Sequence, residues 1–347
     1  MSSDLLPGVS VLDFGTVGPA ARASAILADY GATITKVGAV PRAGAVTITP
    51  PAFAYSGGRG TRRVQLDLKA DKGRAAAQAL AAASDVVIES FRPGVADRLG
   101  IGWNELSTQN PRLVYCSTSG YGQNGPASQR AGHDLNYLAV GGFLDCSGRR
   151  DDGGPALPGA TVADIAAGGM QAAMAIMAAL IGRGNTGEGR YLDVSIVDGV
   201  VAMMSLYVDE YLVTGTEPGP GHNVLTGRYA WYGIYRCADD GWISVGAIEP
   251  RFYANLLREL DLDSERFGSA QYEDEAQDDL RAAMTKVFAT RSRGDWAGQL
   301  GDEDFSTVMQ INQAFPAMAD DDFLFGRNES GNQNLHTWTA KLAGMPL

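Results

Sequence analysis

Short apolar segments that alternate with helical ones constrain the fold of this chain most strongly. Residues 9–14 form an apolar run, residues 15–18 form a predicted turn, and residues 20–30 carry apolar side chains at helical spacing. Residues 33–37 are the next predicted strand. A strand, a helix and a strand at this spacing make a βαβ unit, which predicts a parallel sheet.

The same alternation continues along the first 214 residues. Further strands are predicted over 63–66, 85–89, 113–117 and 191–195, and helices over 72–83, 165–181 and 197–213. The pattern therefore predicts an α/β fold with a large Rossmann-like parallel-sheet domain over 1–214. Segment 165–181 is the most hydrophobic, and we interpret it as a buried core helix because a membrane span needs about 20 predominantly apolar residues.

The composition of the sequence changes after residue 214. A Pro- and Gly-rich linker over 214–221 precedes a predicted hairpin with an Asp-Gly turn, and two amphipathic helices follow it. We therefore expect a smaller α+β domain over 215–300, with 301–347 completing the large domain.

Charge and cysteine content narrow the classes of partner. Acidic residues outnumber basic ones by 40 to 28, the formal charge is −12, and no basic run occurs, which argues against nucleic acid and an anionic membrane as partners. The three cysteines lack CxxC spacing, and we expect neither a disulfide framework nor a metal site. The N-terminus does not resemble a secretory signal, so we expect a cytoplasmic enzyme.

The turn after the first strand invites a dinucleotide-binding interpretation. Its glycines do not have the GxGxxG spacing, however, and the second strand ends in Lys36-Val37-Gly38 where a ribose-binding acid would be expected. The GxSxG, GxxxxGK[ST] and HExxH motifs are also missing. These absences argue against a nicotinamide or flavin enzyme, an α/β-hydrolase, a P-loop protein and a metalloprotease.

His133 and Asp164 are the candidate acid/base residues, and each has a structural alternative. His133 lies at the predicted start of a helix, where it is either a proton-transfer group or a capping or core histidine. Asp164 precedes the apolar helix, where it either satisfies free backbone N–H groups or stands beside N–H donors for an oxyanion. Arg92 follows a strand, at the edge where open α/β sheets bind ligands.

Six blocks in register resemble the family III CoA-transferases, and within that superfamily the α-methylacyl-CoA racemase branch. They are GRGTRRVQLDLK at 58–69, ESFRPGVADRLGIG at 89–102, NPRLVYCSTSGYGQNGP at 110–126, AGHDLNYLAVGG at 131–142, VADIAAGG at 162–169 and VGAIEPRFYANLL at 245–257. The GHDLNY and AIEP segments favour the racemase branch. The resemblance implies an interlocked homodimer with its active sites at the subunit interface.

The resemblance also assigns roles to individual residues. His133 and Asp164 would stand on opposite faces of the substrate Cα, and Glu249 of the partner subunit would orient His133. Coenzyme A, as part of the substrate and with no other cofactor, would lie along the large domain. The residues implied in its binding are Arg62, Asp67, Lys69, Arg92, Arg98 and Tyr137.

These assignments predict inversion at C2 of 2-methylacyl-CoA thioesters, by deprotonation and reprotonation through an enolate. A transferase of the same family would use Asp164 as a nucleophile and would not need His133, and a non-catalytic acyl-CoA-binding protein is a third possibility. The chain departs from the racemase pattern at Gly38, at Thr226 and Arg228, and over 304–309. The resemblance implies an acidic and a basic residue after the second strand that contact a coenzyme A phosphate, and Arg42 is the candidate replacement for the missing basic group. We expect the other departures to bear on acyl specificity.

Overall fold

The computed structural model describes residues 5–15, 17–41, 61–300 and 308–310. These residues form two compact units. The larger comprises 5–144 and 156–216, and the smaller comprises 145–155, 217–300 and 308–310. The smaller unit thus includes residues 145–155, which the sequence pattern had grouped with the large domain.

A six-stranded parallel sheet organises the larger unit, as the alternation of elements predicts. Its strands are β1 Ser10–Asp13, β2 Thr33–Gly38, β3 Arg62–Gln65, β4 Val86–Glu89, β5 Val114–Ser119 and β6 Arg190–Ser195. They lie in the order β3-β2-β1-β4-β5-β6, and every pair is parallel. All six carboxyl ends therefore meet at one edge, and the order reverses between β1 and β4, where such sheets bind ligands.

Helices connect these strands and cover the sheet. They are α1 Gly18–Asp29, α2 Asp71–Ala82, α3 Val95–Arg98, α4 Trp103–Gln109, α5 Asp134–Val140, α6 Phe143–Cys146, a π-helical segment Ala163–Met170 continued by α7 Gln171–Thr186, α8 Ile196–Met203 and α9 Ser205–Thr214. The single helix predicted over 197–213 is thus two helices that meet at Met204. The helix predicted over 165–181 is longer, and its first eight residues are π-helical.

Alternating side chains of the strands build a core on each face of the sheet. Val11, Ile34 and Ile88 pack with α1 and α7 on one face, while Leu12 and Val87 pack with α2 and α4 on the other. Both faces of a parallel sheet are covered in this way, which explains why its strands read as continuous apolar runs.

The apolar helix predicted to lie in the core packs against α1, β5 and β6. Ala172, Ala173 and Ile176 are buried there, whereas Met174 and Ile181 are exposed. Among the described helices, Ala163–Thr186 is long and apolar enough to cross a membrane, by length and composition alone. Its most apolar 18 residues have a mean hydropathy of 1.7, and 39% of them are buried. Core helices of globular proteins share this property.

The smaller unit is built on a three-stranded antiparallel sheet. The predicted hairpin is present as β7 Tyr232–Arg236 and β8 Trp242–Gly246, and β8 also pairs with β9 Val308–Gln310. Residues 308–310 therefore belong to this sheet, and the rest of 301–347 lies outside the described residues. The helices of the unit are α10 Pro250–Glu259, α11 Ser264–Phe267, α12 Asp274–Phe288 and α13 Arg293–Leu300. They pack on a core that includes Trp231, Tyr253 and Phe288.

Candidate active site

His133 directly precedes α5, at the helix start that the sequence predicts. Its backbone N–H donates to Asn136 Oδ1 at 3.0 Å, which closes the first turn of the helix. The residue thus occupies the N-cap position, and it is exposed in the described chain. An exposed imidazole at this position is accessible to a substrate.

Asp164 is the second residue of the π-helical segment, and small residues bring that segment close to α1. A Cβ placed on Gly168 would lie 2.6 Å from Pro19 Cβ, and one on Gly169 would lie 2.5 Å from Arg22 Cβ. Larger residues would therefore push the two helices apart. Asp164 Oδ2 lies 3.9 Å from the position of a Cβ on Gly18, so the carboxylate lies beside the turn that follows β1.

Asp134 links the helices that carry His133 and Asp164. Its Oδ1 accepts the backbone N–H of Asp164 at 2.8 Å, so the first turn of α5 is tied to the start of the π-helical segment. This N–H is therefore already engaged within the protein, and the use of other N–H groups of the helix start by an oxyanion stays a prediction. Asp134 was not among the residues predicted from the sequence, although an acid in the first turn after a candidate histidine was a signal for it.

The surroundings of Asp164 favour its protonated form. Burial raises the pKa of the Asp164 carboxyl, the negative charge of Asp134 raises it further, and Arg22 and His133 act in the opposite direction. The Asp134 contact thus brings the first turn of α5, which His133 precedes, next to the start of the π-helical segment that carries Asp164. A raised pKa makes a carboxylate a stronger base than an ordinary aspartate, and the same group can return the proton as an acid.

Tyr137, on α5, and Arg92, after β4, are two of the residues predicted to bind coenzyme A. The Tyr137 hydroxyl donates to the carbonyl of Gly132 at 2.6 Å. Burial raises the pKa of Tyr137 to about 12, with a further contribution from the charge of Asp164, while Arg92 acts in the opposite direction. The charges of Asp164 and Arg92 therefore both act on the Tyr137 hydroxyl.

A buried carboxyl that was not predicted from the sequence lies at the end of β4. Glu89 is only 3% exposed, its Oε2 accepts the Phe91 N–H at 2.7 Å, and its Oε1 accepts the Ser117 hydroxyl. Burial raises its pKa to about 7. It borders a cavity of about 340 Å³ whose other lining residues include Arg92, Asp97, Trp103, Tyr115 and Tyr191.

The remaining residues predicted to bind coenzyme A lie on β3, after it, or on α3. Arg62 begins β3 at the edge of the sheet, and Asp67 follows that strand and accepts the Lys69 N–H through Oδ1 at 3.1 Å. Arg98 ends α3, and its Nη1 would lie 3.3 Å from a Cβ on Gly94. Their contacts with a ligand stay predictions.

Lys36 stands where a ribose-binding acid was expected, and the structure gives it a partner in the core. Its ammonium forms an ion pair with Asp13, a wholly buried carboxylate that also accepts the Ser24 hydroxyl and the Gly15 N–H, each at 2.6 Å. Lys36 therefore joins the ends of β1 and β2. Gly38 ends β2, and Arg42, the candidate replacement for the missing basic group, lies outside the described residues.

The smaller unit contains Glu249 and the two departures from the racemase pattern at Thr226 and Arg228. Glu249 is the exposed residue immediately before α10, and its predicted role in orienting His133 stays a prediction. Thr226 ends a short 3₁₀ turn, and Arg228 forms a two-pronged ion pair with Asp274 at 2.6 and 3.0 Å. Within the part of the chain that the structure describes, no group of three or more His, Cys, Asp or Glu residues is placed to hold a metal.

Known structures share this architecture over most of its length. A CAIB/BAIF family protein from Brucella suis superposes with a TM-score of 0.78 at 26% identity, covering 91% of this chain and 86% of that one. Rv3272 from Mycobacterium tuberculosis superposes with a TM-score of 0.77, also at 26% identity, covering 92% of this chain and 88% of the other.

Sequence comparison finds relatives of two activities. Alpha-methylacyl-CoA racemase of Homo sapiens is 35% identical over 294 residues, which cover 84% of this chain and 74% of that protein. Succinyl-CoA:glutarate CoA-transferase of Homo sapiens is 34% identical over 265 residues, which cover 74% of this chain and 59% of the other. The model of CoA-transferase family III matches residues 6–334. The chain therefore belongs to CoA-transferase family III, whose members act on acyl-CoA thioesters.

Proposed function

We propose that this protein is a racemase or epimerase that inverts C2 of 2-methylacyl-CoA thioesters. The observation that carries the proposal is the neighbourhood of His133 and Asp164, in which an exposed imidazole lies near a carboxyl whose pKa is raised by burial and by Asp134. The 35% identity with a racemase over most of the chain supports it.

Inversion at C2 needs two groups that exchange the roles of acid and base. The thioester carbonyl acidifies the C2 proton, one residue removes that proton, and the other delivers a proton to the opposite face. His133 suits the first role for one enantiomer and Asp164 for the other. Asp134 would hold the two at a fixed separation through its bond to the Asp164 N–H.

Coenzyme A binding and dimerisation complete the proposal. The coenzyme A part of the substrate would lie against Arg92, Arg98 and Lys69, with Arg62, Asp67 and Tyr137 nearby. A second subunit would supply Glu249 to His133. Helix α9 supports such a subunit because it has no buried residue, and its Leu212 and Val213 are 74% and 85% exposed. Apolar surfaces of this kind favour a protein partner.

Incubation with each enantiomer of a 2-methylacyl-CoA in D₂O tests the reaction. The parent enzyme should introduce deuterium at C2 of both enantiomers and equilibrate them. His133→Ala and Asp164→Asn should each abolish inversion, and each should retain exchange on only the enantiomer that the remaining base deprotonates. Absence of deuterium from C2 in the parent reaction, with substrate intact, contradicts the proposal.

A CoA-transferase is the second candidate function. Among the described residues the Asp164 side chain forms no hydrogen bond that would oppose its use as a nucleophile in its ionised form, and the 34% identity with a transferase fits this use. Asp164 would attack the thioester carbonyl and displace the coenzyme A thiolate to form an acyl anhydride. Hydroxylamine should then trap an enzyme-bound acyl group, and His133→Ala should leave CoA exchange between a thioester and a free acid intact. If the protein only binds acyl-CoA without catalysis, the parent should show no turnover, and the His133→Ala variant should still bind acyl-CoA.

A further inference from the structure

Glu89 is a buried carboxyl that the proposed proton transfers do not use. Among the described residues no Lys, Arg or His forms an ion pair with it, and the charges that act on it come from Asp97 and Asp193, both negative. Burying a carboxyl without a cation is unfavourable. Packing of the core therefore does not explain why this side chain is acidic.

The hydrogen bonds of Glu89 connect the sheet to the turn that carries Arg92. One carboxyl oxygen accepts from Ser117, its register partner on β5, and the other accepts the backbone N–H of Phe91. The chain turns sharply directly afterwards, since the Val95 N–H donates to the carbonyl of Arg92 at 3.0 Å and Gly94 has a φ of +79°. Glu89 thus ties Phe91, the residue directly before this turn, to β5.

Arg92 begins that turn and lines the cavity that Glu89 borders. It is exposed, it takes part in no ion pair among the residues that the structure describes, and its charge acts on the hydroxyl of Tyr137. A guanidinium held in this way suits a phosphate or diphosphate group. The orientation of the turn therefore decides where an anionic ligand meets Arg92.

We infer that Glu89 is a positioning residue that fixes the start of the Arg92–Val95 turn against the sheet and thereby aims Arg92 at the anionic part of coenzyme A. The inference rests on the coenzyme A binding included in the proposed function. It does not depend on whether the bound thioester is racemised or transferred. Glu89 itself does not touch the reacting atoms.

Calorimetric titration of the full chain with coenzyme A tests the inference without turnover. Glu89→Ala removes the anchor of the turn and should raise the Kd about tenfold, the size expected for loss of a buried hydrogen bond to a carboxylate. Glu89→Gln keeps an acceptor for Phe91 and a donor for Ser117, and at pH 6 it should bind within about twofold of the parent. Asp85→Asn is the matched control, because Asp85 precedes the same strand at the opposite edge and pairs with Arg183.

A double-mutant cycle separates positioning from a general loss of structure. Arg92→Ala should weaken coenzyme A binding about tenfold, and adding Glu89→Ala to it should cause no further loss. If Glu89→Ala does not fold, Ser117→Ala removes one support of the carboxyl, and it should weaken binding about threefold only while Arg92 is present. Losses that multiply in the double variant, or an equal loss from Asp85→Asn, overturn the inference.

The pH dependence of binding gives a readout that a purely structural role would not change. Asp97, Asp193, Tyr115, Tyr191 and Cys116 are the titratable groups around Glu89. Ionisation of Glu89 adds a negative charge behind the turn, so the parent Kd should rise from pH 6 to pH 8 more steeply than that of Glu89→Gln. The ionisation of coenzyme A itself changes with pH equally for the parent and for Glu89→Gln, so it cancels in the comparison. Equal changes of Kd with pH in the parent and in Glu89→Gln contradict the inference. If the parent fails to exchange the C2 proton while Glu89→Ala and Arg92→Ala stay non-additive in coenzyme A binding, only the racemase proposal is overturned.

Discussion

Asp13 and Asp164 lie on either side of the turn that follows β1, yet their surroundings differ in kind. Asp13 is wholly buried, and Lys36, Ser24 and the Gly15 N–H all bind its carboxylate. Asp164 is partly exposed, its nearest acid is Asp134, and its side chain forms no hydrogen bond among the described residues. A buried carboxylate with every oxygen engaged stabilises a fold, whereas a partly exposed one beside a like charge is available for chemistry.

Removal of the Asp164 charge should produce the largest effect on activity. Asp164→Asn should reduce racemisation by about 10² to 10⁴-fold, because it removes one of the two acid/base groups. Its melting temperature should stay near that of the parent, since no hydrogen bond of the carboxylate is lost. Activity and thermal unfolding measured on the same preparation check both parts. A melting temperature of Asp164→Asn far below that of the parent would show that Asp164, like Asp13, stabilises the fold.

The same change at Asp13 should affect stability first. Asp13→Asn leaves the Lys36 ammonium buried without its counter-charge, which costs about 3–5 kcal/mol of unfolding free energy. Urea denaturation measures the loss. The double variant with Lys36→Met should recover part of it, because both charges are then absent. A loss of unfolding free energy below about 1 kcal/mol would show that the Asp13 ion pair contributes no more than an ion pair on the surface.

Glu89 is an intermediate case, buried like Asp13 but without a cation. Its pKa is raised from 4.5 to about 7, so the folded state keeps the proton after the unfolded state has released it. The free energy of unfolding should therefore fall by up to about 3 kcal/mol through this residue as the pH rises from about 4.5 to above 7. Glu89→Gln lacks this dependence. Urea denaturation of both proteins at pH 5 and pH 8 should show that the free energy of unfolding of the variant rises relative to that of the parent at the higher pH. The same difference in unfolding free energy at both pH values would contradict the raised pKa of Glu89.

Asp134 should produce the smallest change, and it tests why Asp164 differs from Asp13. Asp134→Asn keeps an oxygen to accept the Asp164 N–H and removes the negative charge, so the pKa of Asp164 should fall. The part of the pH profile of C2 exchange that reports Asp164 should move to lower pH, with the maximal rate within about tenfold of the parent. Glu105→Gln, an exposed acid on α4, is the control. A shift to higher pH would exclude Asp134 as a source of the raised pKa.

Local patterns in the sequence were sufficient for the fold class and for the position of His133. The alternation of short apolar runs with helical segments predicts β1, α1 and β2 within a few residues, because each element is specified by neighbours one to four positions away. His133 lies at a helix start for the same reason. The π-helical turn at Asp164 was not predicted, since small residues such as Gly168 and Gly169 are compatible with either kind of helix.

The sequence by itself determined that the chain forms a parallel sheet with a histidine and an aspartate near helix starts, and its motifs resemble those of CoA-transferase family III. Only the tertiary structure decided which charges meet. Asp13 lies 23 residues from Lys36 and Asp134 lies 30 residues from Asp164, so no helical or strand periodicity relates them. Their contacts depend on the order of the strands and on the approach of the π-helical segment to α1. The raised pKa values of Asp164 and Glu89 follow from that packing, because burial and the sign of nearby charges set a pKa.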